Sequence, residues 1–354
     1  MREKFIFLIL SSLALGLLLS GCATGLTPSS WPGITSDGAT AYVASATAVY
    51  AVNLENGNEL WRFPEKADAK KTFYAAPVLT PDGQLIVGGY DHVLYSLNPK
   101  NGQINWQYAG ARDHWIGSVL VANDLIYAPN ADYDLYAFNL KGEFQWKFAS
   151  MQALWAAPVS DGQRVYFGSL DRKVYALDAS NGQLAWEKAL AGAVLGSPIL
   201  GGDGRLYVVT FGGSVSALDI ATGEQLWQFS AGDFVWSSPA LKDGEVYFGD
   251  SSGKFYALNA SNGAQDWSLQ PNSPILGTPL VAGGQILFGT EAGDLYAVDA
   301  QGQNAWKLTV NGKLYGAPVA GGVLILVAPV EGQSLLIALD QSGVQKWALT
   351  PVKK

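Results

Sequence analysis

The chain has 354 residues, of which 49% are hydrophobic and 15% charged, and its net charge is −8 at pH 7. This apolar content excludes an intrinsically disordered chain, and the acidic balance argues against a surface for nucleic acids or phosphates. One Cys and two His exclude a disulfide framework, a zinc site made of Cys and His alone and Cys–His catalysis, so we predict no metal site.

The first 21 residues have the pattern of an export signal. Arg2 and Lys4 precede an apolar run over residues 5–19. At about 1.5 Å per residue this run forms roughly 22 Å of helix, which is shorter than the ~30 Å hydrocarbon core of a bilayer. The segment 1–21 is therefore predicted to be a signal peptide rather than a membrane span.

The end of this segment, Leu19-Ser20-Gly21-Cys22, resembles the lipobox of bacterial lipoproteins. The resemblance implies that Cys22 is lipidated and becomes the mature N-terminus, with residues 22–28 as a tether. The alternative is an ordinary secretory peptide that carries a Cys by chance. We expect an exported, lipid-anchored protein at the outer membrane facing the periplasm, or on the outer face of the plasma membrane where the cell has one membrane.

Eight copies of one unit follow, over residues 29–350. A Trp recurs at intervals of 39–45 residues, and a Gly stands four residues before each one. The eight positions are Trp61, Trp106, Trp146, Trp186, Trp227, Trp267, Trp306 and Trp347. An Asn or Asp precedes each Gly, and two positions before it lies Ala, or Ser in one copy. This regularity predicts a single domain built from repeats.

Each unit has the signals of four short β-strands. An apolar strand such as residues 175–177 leads into an Asx–Gly turn, and the next strand carries the Trp. Further upstream, seven units carry a Pro and the third has Ser118 at that position. Short strands, regular turns and no helical period predict an all-β fold, an eight-bladed β-propeller of four-stranded blades. The repeat does not indicate how the ring closes.

The segment from Ser216 to Trp227, Ser-Ala-Leu-Asp-Ile-Ala-Thr-Gly-Glu-Gln-Leu-Trp, resembles the PQQ-like propeller repeat, and the resemblance covers essentially all of residues 29–350. Quinoprotein dehydrogenases share this repeat with lipoproteins similar to the outer-membrane assembly factor BamB. The dehydrogenases imply a quinone, Ca²⁺ ligands, often a Cys pair, and long loops between blades. This chain has no Cys pair, and six of seven connections from Trp to the next Pro position span 12 residues. We therefore predict no cofactor and no enzyme activity.

A second set of positions, three residues before each Pro position, is rich in aromatic side chains. Its members are Ser29, Tyr74, Trp115, Trp155, Leu195, Trp236, Leu276 and Tyr315. Because they enter the innermost strands, they should meet at one mouth of the channel. There they either plug the channel or form a rim that binds a protein partner. The polar connection Arg112-Asp113-His114-Trp115 is the preferred contact beside Trp155 and Trp236.

These observations predict a non-catalytic, monomeric scaffold in the cell envelope, and the resemblance to BamB implies a role in outer-membrane protein assembly with the barrel assembly machinery as partner. A propeller that binds PQQ or another small ligand remains an alternative. So does a surface lipoprotein that binds glycans, because aromatic side chains stack on sugars as well as on proteins. Asp132 and Asp134 are the nearest approach to a carboxylate pair, and we expect them to form turns as solvated charges.

Overall fold

The computed structural model describes residues 31–68 and 70–352, which form eight four-stranded antiparallel sheets. The predicted signal peptide, the tether with Cys22, and Ser29 lie outside these residues. Within every sheet the four strands follow one another in chain order. The described residues contain no helix, so none there is long and apolar enough to cross a membrane. The predicted eight-bladed β-propeller is confirmed.

Each blade consists of an inner strand, two central strands and an outer strand. Blades 1 to 4 contain β1 (Gly33–Ser36), β2 (Thr40–Ser45), β3 (Ala48–Asn53), β4 (Glu59–Phe63), β5 (Val78–Leu79), β6 (Leu85–Gly88), β7 (Leu94–Leu97), β8 (Ile104–Tyr108), β9 (Leu120–Ala122), β10 (Leu125–Pro129), β11 (Asp134–Asn139), β12 (Phe144–Ala149), β13 (Val159–Ser160), β14 (Arg164–Gly168), β15 (Lys173–Asp178) and β16 (Leu184–Ala189). Blades 5 to 8 contain β17 (Ile199–Leu200), β18 (Arg205–Val209), β19 (Ser214–Asp219), β20 (Gln225–Ser230), β21 (Ala240–Lys242), β22 (Glu245–Gly249), β23 (Phe255–Asn259), β24 (Gln265–Leu269), β25 (Leu280–Ala282), β26 (Gln285–Gly289), β27 (Asp294–Val298), β28 (Asn304–Thr309), β29 (Val319–Gly321), β30 (Leu324–Val327), β31 (Leu336–Leu339) and β32 (Gln345–Leu349).

The core lies between the blades. Central strands such as β6 and β7 are buried at every residue, whereas the outer strand β16 has exposed positions along most of its length. Each of the eight contacts between neighbouring blades contains one cluster of buried apolar side chains. The cluster between blades 8 and 1 closes the ring, and inner strands β29 and β1 lie side by side. The ring therefore closes by packing, because each blade takes all four strands from one stretch of chain.

The repeated Trp fastens each blade to the next. In blade 5, Trp227 lies opposite Ala217 of its own blade, and its Nε1 donates a hydrogen bond to the carbonyl oxygen of Ala260 at 2.9 Å. The indole covers Gly263 of blade 6, where an added Cβ would lie 2.5 Å from the ring. Among the described residues, seven of the eight Trp donate this bond to the next blade. The Trp side chain thus requires both the small residue opposite it in its own blade and the Gly that it covers in the next blade.

Buried tyrosines that donate to aspartates are a second recurrent feature of the blades. The hydroxyl of Tyr207 donates to Asp203 at 3.1 Å, and that of Tyr42 donates to Asp37 at 3.1 Å. Burial, with the nearby carboxylate as a further cause, raises the pKa of each of these two tyrosines to about 12. Both side chains therefore remain neutral in the folded protein well above the pH at which an exposed tyrosine ionises.

These tyrosines predict a loss of stability at alkaline pH. The unfolded chain ionises its tyrosines near pH 10, about two units below the folded pKa of Tyr207 and Tyr42, so it binds fewer protons than the folded chain above that pH. Each such tyrosine then removes about 1.4 kcal/mol of stability per pH unit up to its folded pKa. Urea unfolding between about pH 8 and pH 11 should show constant stability at first and a decline from about pH 10.

The variant Tyr207→Phe is the control for this pH dependence. It lacks one ionisable phenol, so its stability should decline less steeply above about pH 10, even though its stability at neutral pH is lower through loss of the bonds to Asp203 and Ala260. Parallel declines in the variant and the original chain would show that other groups cause the alkaline transition.

Candidate functional site

The inner connections meet at one cavity of about 690 Å³. Each blade contributes one side chain, and together these form what we call the cavity ring: Trp31, Tyr74, Ile116, Trp155, Leu195, Trp236, Leu276 and Tyr315. Five members are aromatic and three are aliphatic. None of the described residues that line the cavity is charged. Six residues that were predicted from the sequence to meet at the channel mouth thus line one apolar cavity.

The prediction that Trp115 enters the rim is wrong. Its side chain is only 1% exposed, and it packs over Gly88, where an added Cβ would lie 2.3 Å from the Cβ of Trp115. Val194 packs over Gly168 in the same way. Trp115 is therefore a core residue, and Ile116 takes its place in the cavity ring. Alignment on the Pro position was offset by one residue in this unit.

In blade 1 the member of the cavity ring is Trp31, and the predicted member, Ser29, lies outside the described residues. The register shows this, because Thr35 of β1 occupies the position of Val159 in β13. Counting back four residues in each case pairs Trp31 with Trp155. The Pro of the first unit consequently does not correspond to the Pro of the other units. Trp31 is 41% exposed and supplies the aromatic side chain that the sequence alignment lacked.

Aromatic contacts partly fill the cavity from one side. The ring of Trp31 meets that of Trp236, from blade 6, at a centroid distance of 5.5 Å, and that of Tyr315 at 5.7 Å. Trp236 also packs edge-on against Phe211 at 4.9 Å. Trp155 stands apart from these contacts among the described residues and is 37% exposed. Part of the ring thus consists of aromatic side chains packed against one another, and Trp155 leaves part of its surface open to solvent.

The polar connection between blades 2 and 3 is held by buried carboxylates. Asp132 and Asp134 are only 7% and 2% exposed, so the expectation that they are solvated is wrong. Asp132 accepts hydrogen bonds from the backbone N–H of Arg112 at 2.9 Å and from the hydroxyl of Tyr136 at 2.7 Å. The Nζ of Lys147 lies 2.6 Å from Asp134. Both carboxylates therefore anchor the connection, and the Arg112 side chain remains largely exposed.

The other two polar residues of this connection, Asp113 and His114, lie beside the cavity ring. The imidazole of His114 stacks on Tyr90, with centroids 3.5 Å apart, and Tyr90 itself lines the cavity next to Tyr74. The second histidine of the chain, His92, lies in the turn between β6 and β7. Its ring lies 4.6 Å from that of His114, so the two histidines of the chain are neighbours.

Comparisons with known proteins agree with the resemblance of the repeats to those of BamB. The family model described as "Outer membrane protein assembly factor BamB" matches residues 45–154, 139–275 and 271–353. BamB of Shewanella oneidensis is 26% identical over 198 residues, which cover 49% of this chain and 49% of that protein. The match therefore spans about half the length of that relative. BamB from Moraxella catarrhalis has a similar structure, with a TM-score of 0.69 at 19% identity, covering 88% of this chain and 92% of that one.

An enzyme also matches part of the chain. The lanthanide-dependent methanol dehydrogenase of Methylacidiphilum fumariolicum is 31% identical over 158 residues, which cover 40% of this chain and 26% of the enzyme. A lanthanide or Ca²⁺ ion requires oxygen ligands, chiefly carboxylates. The described residues that line the cavity include no Asp or Glu. This lining does not fit a quinone site built around such an ion.

Proposed function

The chain belongs to the family of the outer membrane protein assembly factor BamB, and on this premise we propose that it is a lipid-anchored, non-catalytic scaffold. In this proposal Cys22 carries the lipid and the propeller lies at the outer membrane, facing the periplasm. The cavity ring holds a protein of the outer-membrane barrel assembly machinery. The lipobox-like sequence supports the anchor, and the family supports the role in assembly.

The aromatic cavity ring is the observation that carries this proposal. Trp and Tyr side chains at the centre of an interface contribute most of the binding energy in many complexes. Trp155 is partly exposed and lies among apolar residues that line the cavity, and Leu195 and Leu276 extend the same surface. Arg112 lies in the connection that leads to Ile116 and carries a largely exposed positive charge. A charge at this place suits the polar border that an interface usually has.

The double variant Trp155→Ala/Trp236→Ala should recover at least about 30-fold less partner than the original chain, because truncation of even one anchor side chain worth about 2 kcal/mol lowers affinity about 30-fold. The measurement is a crosslinking pull-down from native membranes with the lipidated protein as bait. Circular dichroism and urea unfolding check that the variant is folded. An outer-membrane barrel assembly protein should be the main partner recovered.

The matched control is Phe144→Ala, which removes an exposed aromatic side chain from the outer strand β12. It should leave recovery unchanged. Equal recovery with the original chain and the folded double variant would refute the role of the cavity ring. Recovery of envelope proteins that do not belong to barrel assembly would refute the assigned partner.

A small-ligand-binding propeller is the second candidate, because a cavity of about 690 Å³ lies in the size range of small-molecule sites. Titration of the purified protein with PQQ and Ca²⁺, followed by absorbance, tests this alternative for the quinone, and titration with oligosaccharides tests it for glycans. Saturable binding that Trp155→Ala abolishes would favour this candidate over the scaffold.

A further inference from the structure

The only two histidines of the chain lie in different blades and meet at one place. His92 belongs to the turn between β6 and β7, and His114 to the connection between β8 and β9. With Asp113 they form a cluster in which one ligand atom from each side chain lies within 4.8 Å of the others. Two imidazoles and a carboxylate are among the commonest protein ligands for transition metals.

The backbone that carries two of these side chains is held in place. The Nδ2 atom of Asn130 donates to the carbonyl oxygen of Asp113 at 3.0 Å, and the backbone N–H of Ala131 donates to that of His114 at 3.0 Å. One oxygen of Asp113 accepts the N–H of His114 at 2.7 Å, which leaves the second oxygen for another partner. A fixed backbone of this kind supports a preorganised site.

The imidazole of His114 is not committed to hydrogen bonds within the protein. Its Nδ1 atom is buried and has no hydrogen-bond partner among the described residues, while its Nε2 atom lies 3.5 Å from Asp113. A buried ring nitrogen without a partner is unfavourable by about 1–3 kcal/mol. Stacking on Tyr90 nevertheless keeps the ring in this environment.

The junction of blades 5 and 6 shows what the same place looks like without these groups. There Phe211 and Phe234 stack at 4.7 Å, in the positions that Tyr90 and His114 occupy at the junction of blades 2 and 3. At the place of His92 stands Gly213, and both have a positive φ, +67° for His92 and +79° for Gly213. The junction of blades 5 and 6 therefore forms with an aromatic stack and a left-handed turn and without either histidine.

We propose that His92, Asp113 and His114 bind a divalent transition-metal ion, with Zn²⁺ as the ion to test. The Asp113 and His114 side chains are 45% and 28% exposed, so an ion can reach them from solvent. Ligand atoms around zinc lie about 3.4 Å apart. The cluster therefore needs side-chain rotations that bring its atoms closer together by up to about 1.4 Å. Three protein ligands leave a coordination position for water or for a group of a bound partner.

The test is calorimetric titration of ZnCl₂ into the full chain, purified without a polyhistidine tag and freed of metal by a chelator. We expect one saturable site. The variants His92→Gly and His114→Phe place the residues of the junction of blades 5 and 6, Gly213 and Phe234, at these positions, so they preserve the turn and the stack. Each should weaken Zn²⁺ binding at least about tenfold, as should Asp113→Asn. Co²⁺ absorbance in the visible range gives a second measurement of coordination.

The control variant is Asp233→Asn. In the connection between blades 5 and 6, Asp233 accepts the N–H of Phe234 at 2.8 Å, as Asp113 accepts that of His114, but it has no histidine beside it among the described residues. This variant should bind Zn²⁺ like the original chain. Absence of a saturable site, unchanged affinity in His114→Phe, or equal weakening in Asp233→Asn would each overturn the proposal.

Discussion

Gly263→Ala should lower the free energy of unfolding by about 3 kcal/mol or more. Gly263 has a φ of +74°, which is unfavourable for Ala by about 1–2 kcal/mol. Its new Cβ would also lie 2.5 Å from the Trp227 indole. The indole must then move, which breaks its hydrogen bond to Ala260, worth about 1 kcal/mol, and loses contact between blades 5 and 6.

Gly244→Ala separates these two causes. Gly244 has a φ of +83°, but an added Cβ would meet no atom within 4 Å. This variant should therefore lose only the backbone contribution of about 1–2 kcal/mol. Urea unfolding followed by Trp fluorescence measures both. Equal losses in the two variants would show that contact between Gly263 and Trp227 contributes nothing to stability.

The propeller fold was predictable from the sequence because the residues that determine it recur eight times. Repetition identified the Gly and the Trp as parts of one unit, and the Asx–Gly turn identified the hairpin. Repetition did not show that Trp227 covers a Gly of the following blade, because residues one repeat apart have the same local sequence. That contact became visible only when neighbouring blades could be compared in space.

The cavity ring was only partly predictable, because Pro is an unreliable marker of the repeat. Pro ends the inner connection in six blades, but the register in blades 1 and 3 depends on neighbouring residues. The sequence Ile116-Gly117-Ser118 matches Leu195-Gly196-Ser197, and this match gives the right alignment without a Pro. The small residues carry the signal because the hydroxyl of Ser118 donates to the carbonyl oxygen of Ala76 at 3.1 Å, and Ser197 accepts the backbone N–H of Ala157 at 2.9 Å.

Clusters formed between repeats were not predictable from a single sequence. The buried state of Asp132 and Asp134 depends on Arg112 and Lys147, which lie on other segments of the chain. His92 and His114 also come together only through the contact of two blades. Asp132 has counterparts in Asp91 and Asp171, which also accept a Tyr hydroxyl. The two histidines have none at the junction of blades 5 and 6, so a non-repeated polar residue is a useful signal for such sites.

Replacement of Trp115, which packs in the core, is the second change with a large expected effect on stability. Trp115→Ala should lower the free energy of unfolding by about 3–5 kcal/mol, because it empties a fully buried site between blades 2 and 3. Trp155→Ala removes a partly exposed side chain and should cost about 1 kcal/mol or less. Partner binding by the molecules that remain folded should show the reverse order, with a large loss for Trp155→Ala and little change for Trp115→Ala.

Trp115→Phe makes this comparison sharper. The Nε1 atom of Trp115 is buried and has no hydrogen-bond partner among the described residues, an arrangement unfavourable by about 1–3 kcal/mol. Phe retains the aromatic contact with Tyr136 and removes this N–H, so Trp115→Phe should be clearly more stable than Trp115→Ala. Urea unfolding and the pull-down are measured on the same preparations. Loss of the partner by a stable Trp115→Phe variant would return Trp115 to the binding surface and contradict its assignment to the core.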